Sequence, residues 1–232
     1  MKVSIIIPAY NEEKSIPALM KSVHAQDFPC EVILADAQST DATRMIAKAH
    51  GCKVVMARKG TPGMARNAGA RAASGDVFIF LDADTILPRN FLRKIVNEFA
   101  RRRLDVAACY TRTKSGNPVD WAIIGCINAY YFVFQRIWPQ AMGVCMLATR
   151  RAHESIRGFD ERITFSEDCD YANRAFKRGF RYGILRSARI PTSMRRFDKK
   201  GRWKMIPYYV YLIGKRALFG EMRSPISYDY GL

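Results

Sequence analysis

Cysteine is sparse in this chain and never closely paired. The six residues, at 30, 52, 109, 126, 145 and 169, stand no closer than seventeen positions apart, and no Cys-x-x-Cys occurs. That spacing argues against a zinc site or a disulfide framework and predicts reduced, buried thiols in a cytosolic setting. The three histidines, at 24, 50 and 153, are too scattered to form a metal-binding pair. No apolar run reaches the ~18 residues of a membrane-spanning helix. Residues 119–138 are interrupted by Asp120, Asn128, Gln135 and Arg136, and 206–219 is short and carries Lys215 and Arg216. Both segments read as helices that either lie on a membrane surface or pack in the core. Val3–Ile7 runs into Pro8 without a small-residue cleavage site, so no signal peptide is expected. There is no Gly-x-Gly-x-x-Gly after the first strand and no Walker loop, which argues against nicotinamide chemistry and P-loop phosphoryl transfer.

Acid is scarce as well. Thirty-eight Lys and Arg face 21 Asp and Glu, a formal charge of +17. From Arg174 to Arg223 fifteen bases stand against only Asp198 and Glu221. Acids cluster elsewhere, as Asp82 with Asp84 and Glu167 with Asp168 and Asp170. A basic region beside short acidic clusters points to an anionic partner together with a metal or catalytic centre; a solvated basic surface is the plainer alternative. A hydrophobic content of 49% excludes a disordered chain, and 232 residues suffice for one α/β domain with a short appendage.

The first half alternates strand and helix. Val3–Ile7 has the β-branched pattern of a strand buried on both faces of a parallel sheet. Ser15 is placed to cap a helix with Ile16, Leu19, Met20 and Val23 at helical spacing. Strands follow at 31–35, 53–56 and 77–81, with helices over 41–50, capped by Thr40, and 62–74. Pro88 is expected to open a helix bearing Phe91, Leu92, Ile95, Val96 and Phe99 on one face. A βαβαβ start implies a parallel sheet with right-handed crossovers. Beyond it, 106–110 and 144–149 read as strands and 166–178 as a helix capped by Ser166.

In such sheets ligands bind beyond the carboxyl ends of the strands. Residues 8–12 follow the first strand, Asp36 ends the second, and Asp82-Ala83-Asp84 follows the strand at 77–81. Two carboxylates two positions apart in extended chain point to one side, so both can face a Mg²⁺ or Mn²⁺ ion that bridges diphosphate oxygens. Asp36 is suited to accept hydrogen bonds from a base ring, and Arg66 to contact a diphosphate; a turn residue and a surface helix charge are the plainer readings. Asp168, in the first turn of its helix, is favoured in its ionised form and can act as general base; an acid that merely decorates a helix N-terminus is the plainer reading.

Together these residues resemble the family 2 glycosyltransferases, inverting enzymes of the GT-A fold. The likeness runs through Val3–Glu13, the 32–41 stretch, Ala65-Arg66-Asn67-Ala68-Gly69, Leu81-Asp82-Ala83-Asp84, Gly158-Phe159-Asp160-Glu161 and Glu167-Asp168, in the family's order. It implies an α/β fold of GT-A type, a mostly parallel nucleotide-binding sheet flanked by helices. Pro8, Ala9, Tyr10 and Glu12 would line the nucleotide pocket, Asp36 would bind the base and Arg66 would lie near ribose or phosphate. Asp82 would contact ribose or metal-bound water, Asp84 would ligate the metal and Asp168 would be the base. Ala37-Gln38 stands where the family commonly has Asp-Gly.

Lys199-Lys200-Gly201-Arg202-Trp203 is similar to the Gln-x-x-Arg-Trp motif of cellulose-synthase-like enzymes, with Lys in place of Gln, which argues for transfer of a single sugar over processive synthesis. Glu167, Arg202 and Trp203 are accordingly placed on the acceptor side. The expected organisation is a catalytic domain over 1–195 and a basic, aromatic, amphipathic helical appendage over 196–232. The expected activity is metal-dependent transfer of a hexose from a UDP- or GDP-sugar to a lipid-linked, polyprenyl-phosphate type glycan. The enzyme would be cytoplasmic, held peripherally on an anionic membrane surface, with no nucleic-acid partner. The alternatives are a soluble transferase acting on a polysaccharide or protein, and a basic nucleic-acid-binding protein.

Overall fold

The computed structural model describes residues 1–192, 194, 197–198 and 201–221. Ser193 and Arg195, at the end of the expected catalytic domain, and Arg196, Lys199, Lys200 and the segment 222–232 of the expected appendage lie outside the described residues. The order along the chain is β1 (Val3–Ala9), α1 (Ile16–His24), β2 (Glu31–Asp36), α2 (Thr43–Ala49), β3 (Lys53–Met56), α3 (Pro62–Ala72), β4 (Val77–Leu81) and α4 (Phe91–Arg101). Then follow β5 (Val106–Thr113), α5 (Pro118–Phe134), β6 (Cys145–Thr149), α6 (Arg150–Ser155), α7 (Glu167–Lys177), β7 (Tyr182–Thr192) and α8 (Arg202–Phe219).

The strands form one sheet in the order β3-β2-β1-β4-β6-β5-β7. Strand β1 pairs in parallel with both β2 and β4, and β6 runs antiparallel to its neighbours β4 and β5. Alternation along the strands sends Ile5, Ile7 and Ile79 to one face, under Leu19 of α1 and Phe91, Ile95 and Phe99 of α4. Ile6, Phe78 and Phe80 face the other way, against Phe159 and Tyr171. Helix α3 lies so close to β1 that a Cβ at Gly69 would sit 2.4 Å from Ile6 Cγ2. Only glycine permits that approach, and it sets α3 at the depth from which Arg66 reaches the strand ends.

Several local expectations change in the folded chain. Ser15 occupies the N-cap position of α1 without a side-chain bond. Helix α2 begins at Thr43, not after Thr40, and Asp41 Oδ1 accepts from the Thr43 N–H instead. Helix α4 begins at Phe91, because Asn90 takes a left-handed backbone (φ 56°) that ends the turn started at Pro88. Ser166 is likewise left-handed (φ 60°) and its hydroxyl makes no capping bond. Strand β7 was not expected. Its burial is interrupted from Arg186 to Arg189, and its register against β5 slips between Cys109 and Tyr110, so the period-2 signature is broken.

Candidate active site

The carboxyl ends of β1, β2 and β4 form one edge. Ala9 pairs with Asp36, and the Ala9 carbonyl accepts from the Ala37 N–H at 2.8 Å. Strand β4 pairs with β1 up to Ile6–Phe80, which brings Asp82 to the same edge. Pro8 and Ala9 end β1; Tyr10 is half-buried, and its hydroxyl accepts from Lys59 Nζ at 2.9 Å. The Glu12 N–H donates to Thr43 Oγ1 at 2.7 Å, which holds this turn against α2. Asp36 is fully buried. Its Oδ2 accepts from the Ser39 N–H at 3.1 Å, and its Oδ1 has no hydrogen-bond partner. A buried carboxylate oxygen left without a donor is costly, and a ligand N–H would relieve it.

Arg66 joins the strand ends to α7. It is buried, and Nη1 donates to Glu167 Oε1 at 2.6 Å while Nη2 donates to Asp82 Oδ1 at 3.0 Å. Nη2 also lies 3.5 Å from the Gly143 carbonyl oxygen. Burial opposes the guanidinium charge, but Glu167, Asp82 and Asp168 outweigh it and hold the cation firmly protonated. The diphosphate contact expected of Arg66 is therefore not what this arrangement offers first, since the fork is committed to two carboxylates. A Cβ at position 143 would come within 2.9 Å of Arg66 Nη2 and 3.3 Å of Asp168 Oδ2, so the bare backbone at Gly143 forms the floor between them.

Two carboxyls here titrate unusually. Burial pushes Asp82 up to about 6, against the pull of Arg66 and with the Asp84 charge adding to the rise. Asp168 is pushed up to about 7, first by burial and then by the Glu167 charge; Arg66 and the Cys169 N–H, which donates to Asp168 Oδ1 at 2.8 Å, oppose this. The helix-start position was expected to favour the ionised form outright. The N–H bond does act in that sense, but loss of solvent and the adjacent carboxylate win. Asp84 is exposed beside this group.

The acceptor-side residues divide. Glu167 is taken up by Arg66. Arg202 forms a two-pronged ion pair with the buried Asp120 of α5, at 2.7 and 2.8 Å, and a further bond to Asp198 at 2.7 Å. Trp203 beside it is 81% exposed. Further along α8, Tyr209 faces Phe165 with ring centroids 6.3 Å apart, just before the acidic start of α7. Arg216 is buried, donates to Gln140 Oε1 at 2.8 Å and lies over the Trp138 ring at 4.8 Å.

Some of the residues that build the site were not singled out from sequence. Asn67 donates to the Phe159 carbonyl and to Glu161 Oε1, both at 3.0 Å, and accepts from the Phe159 N–H at 2.8 Å. That clasp ties α3 to the Gly158–Glu161 turn. The two motifs were legible, but their contact across more than ninety residues was not. Asp120 was visible only as a flaw in an apolar run. A lone acid in such a run is itself a signal that a buried cation awaits it.

A sheet of this order, with carboxylates gathered at the ends of its parallel strands, is the GT-A fold of nucleotide-sugar glycosyltransferases. The chain belongs to glycosyl transferase family 2, whose pattern residues 4–157 match. It is 35% identical over 128 residues to the poly(ribitol-phosphate) beta-N-acetylglucosaminyltransferase TarS of Staphylococcus aureus, covering 51% of this chain and 22% of that protein. It is 31% identical over 179 residues to the undecaprenyl-phosphate 4-deoxy-4-formamido-L-arabinose transferase of Sodalis glossinidius, covering 71% and 54%. Among solved structures, the mannosyltransferase PcManGT from Pyrobaculum calidifontis in complex with GDP-Man and Mn²⁺ superposes with a TM-score of 0.69 at 22% identity, over 83% of this chain and 57% of that one. TarS 1–349 of S. aureus with UDP-GlcNAc gives 0.68 at 23%, over 83% and 58%. The chain thus spans about half or less of the length of these curated relatives.

Proposed function

We propose that this chain transfers a hexose, with inversion, from a nucleotide-diphosphate sugar to a lipid-linked glycan of the polyprenyl-phosphate type, using Mg²⁺ or Mn²⁺. The observation that carries the reading is the Arg66 clamp, which holds the strand-end carboxylate Asp82 beside the helix-start pair Glu167 and Asp168. A donor site and a proton acceptor then share one wall.

Asp82 and Asp84 fit a hard divalent cation. They lie two residues apart, Asp84 is open to solvent, and their mutual repulsion contributes to the raised Asp82 carboxyl. No cluster of three His, Cys, Asp or Glu side chains suited to a metal occurs among the described residues, so diphosphate oxygens and water would complete the coordination, as is common for Mg²⁺. When bound, the cation neutralises charge on the departing nucleotide diphosphate. The residues of the chain do the rest. Asp36 Oδ1 takes an N–H of the base, Pro8, Ala9, Tyr10 and Glu12 line the nucleotide, and Arg66 fixes Asp82 while keeping Glu167 off the reacting centre. Asp168 Oδ2 removes the proton of the acceptor hydroxyl, and a carboxyl near pH 7 is well matched to that task. Arg202, held by Asp120, positions α8 and with it Trp203 on the acceptor side.

The lipid-linked acceptor is supported by the undecaprenyl-phosphate relative, and a UDP- or GDP-sugar donor by the two neighbours that hold one. We place catalysis in residues 1–195 and acceptor and membrane contact in the basic, aromatic segment from 196, on the cytosolic face. A polymeric acceptor is the second reading, favoured by the likeness to TarS. The strand-end carboxylates disfavour a nucleic-acid partner, since they repel phosphate unless a cation intervenes. The test is donor hydrolysis across UDP- and GDP-sugars with Mn²⁺, Mg²⁺ or EDTA, followed by transfer to a sugar carried on a short polyprenyl phosphate. A folded protein that turns over no donor with either metal overturns the proposal.

A further inference from the structure

No helix among the described residues is long and apolar enough to cross a membrane, yet α5 is not an ordinary surface helix. Of its seventeen residues only Asp120 and Ile124 are buried. The remaining positions divide by helical angle. Ile123, Ile127, Tyr131 and Phe134 are half-buried toward the sheet, where α5 lies on β5. Val119, Trp121, Ala122, Gly125, Cys126, Ala129, Phe132 and Val133 are all exposed, and at 100° per residue they fall on one face. That face runs for about 20 Å without a charged side chain. Water-facing helix surfaces normally carry the charged residues of an amphipathic pattern, so an outward apolar face needs a partner.

The surroundings favour one partner. Arg112 and Lys114 precede α5, Arg136 follows it, and the Arg186 guanidinium sits 4.4 Å from the Phe132 ring centroid at its edge. All four cations are exposed. The only acids in residues 111–137 and 181–220 are Asp120 and Asp198, and Arg202 binds both. An apolar face ringed by cations and stripped of free acid matches an anionic bilayer surface, where apolar side chains enter the acyl boundary and bases meet headgroup phosphates. Helix α8 extends the same surface. Its N-terminus is tied to that of α5 through Asp120–Arg202, and Arg216 near its end reaches Trp138 and Gln140, just past α5, so long Arg side chains link the two helices at both ends. Helix α8 buries Met205, Leu212 and Arg216 and leaves Val210, Tyr211, Leu218 and Phe219 exposed.

We infer that α5, inside the catalytic unit between β5 and β6, is a primary membrane-docking element, with α8 beside it. This deepens the lipid-acceptor reading and rests on it for its purpose, since Tyr209 of α8 meets Phe165, three residues before Asp168. The test uses the full chain and vesicles of phosphatidylcholine with and without phosphatidylglycerol. Ala122→Asp with Val133→Asp alters two outward positions that carry no packing. The wild-type chain should sediment with the anionic vesicles at low salt and far less with neutral ones. The double variant should lose at least about tenfold in partitioning while keeping its thermal midpoint and its manganese-dependent nucleotide binding. Equal partitioning of wild type and variant overturns the inference, as does failure of the wild type to bind. A wild-type dimer that ignores vesicles and is broken by the variant also overturns it, making the face a contact between copies. Donor hydrolysis measured without vesicles reports separately on the glycosyltransferase reading, so the two can fail independently.

Discussion

Replacing Arg66 with Met removes the cation between Glu167 and Asp82 while keeping a side chain of similar length. The guanidinium is almost fully buried, and its partners lie at 2.6 and 3.0 Å, with side-chain exposures of 12% for Glu167 and 37% for Asp82. Taking one member from a buried ion pair typically costs about 3–5 kcal/mol, because the partner is left buried and uncompensated. Asp82 is partly solvated and should recover some hydration, so most of the penalty comes from Glu167, and the lower end, about 3 kcal/mol, is expected. For a chain of this size each kcal/mol moves Tm by roughly 2–4 °C, so the variant should melt on the order of 10 °C earlier near pH 8. The sign of the pH dependence follows from linkage. Without Arg66, whose charge holds both down, the folded-state pKa values of Asp82 and Asp168 rise, so the native variant holds more protons than the native wild type near neutral pH. Relative to wild type, its deficit must therefore shrink as pH falls from about 8 to below 6, where both carboxyls are protonated in either protein. Differential scanning fluorimetry of both proteins at pH 5 and pH 8 reads this directly, and Mn²⁺ should narrow the gap at pH 8. A deficit that is the same at both pH values, or smaller than about 1 kcal/mol, would refute the clamp.

EDTA or Asp84→Ala should abolish transfer, checked by product chromatography; full turnover after exhaustive chelation removes the metal from the mechanism. Asp168→Asn should leave nucleotide binding nearly intact and lower kcat at least about a hundredfold, the usual scale for a lost general base. Proton NMR should find the product anomer inverted, and retention would displace Asp168 from that role. His153 is buried among Phe78, Phe80 and Phe159, with Nδ1 3.0 Å from the Tyr171 hydroxyl. Burial, and then Arg174 and Arg150, lower its pKa to about 4. Between pH 6.5 and 4 the unfolded chain therefore binds the proton and the folded one does not, so stability contributed by neutral His153 is present above 6.5 and lost on acidification, up to about 3 kcal/mol. Urea titrations of wild type and His153→Phe should diverge in slope across that window, and parallel curves would contradict it.

Local sequence determined a good deal of this protein. The β-branched run at 3–7 and the apolar run at 77–81 read as buried strands, and the spacing from Phe91 to Phe99 as one face of a helix, because side-chain period is fixed by backbone geometry. The positions of Ala9, Asp36 and Asp82 at the carboxyl ends of parallel strands followed from those strands and the right-handed crossover rule. Tertiary structure decided what the same residues meet. Arg66 had the spacing of a surface helix charge, yet Gly69 lets α3 approach β1 closely enough that the guanidinium is buried between two carboxylates. Asp168 sits at a helix start, which by itself favours ionisation, but desolvation and Glu167 raise its carboxyl to about 7. Strand β7 escaped detection because a register slip breaks its alternation. The apolar run at 119–138 allowed either a core or a surface helix. Only the folded sheet, which covers one side of α5 and leaves the other bare, decided that it is both.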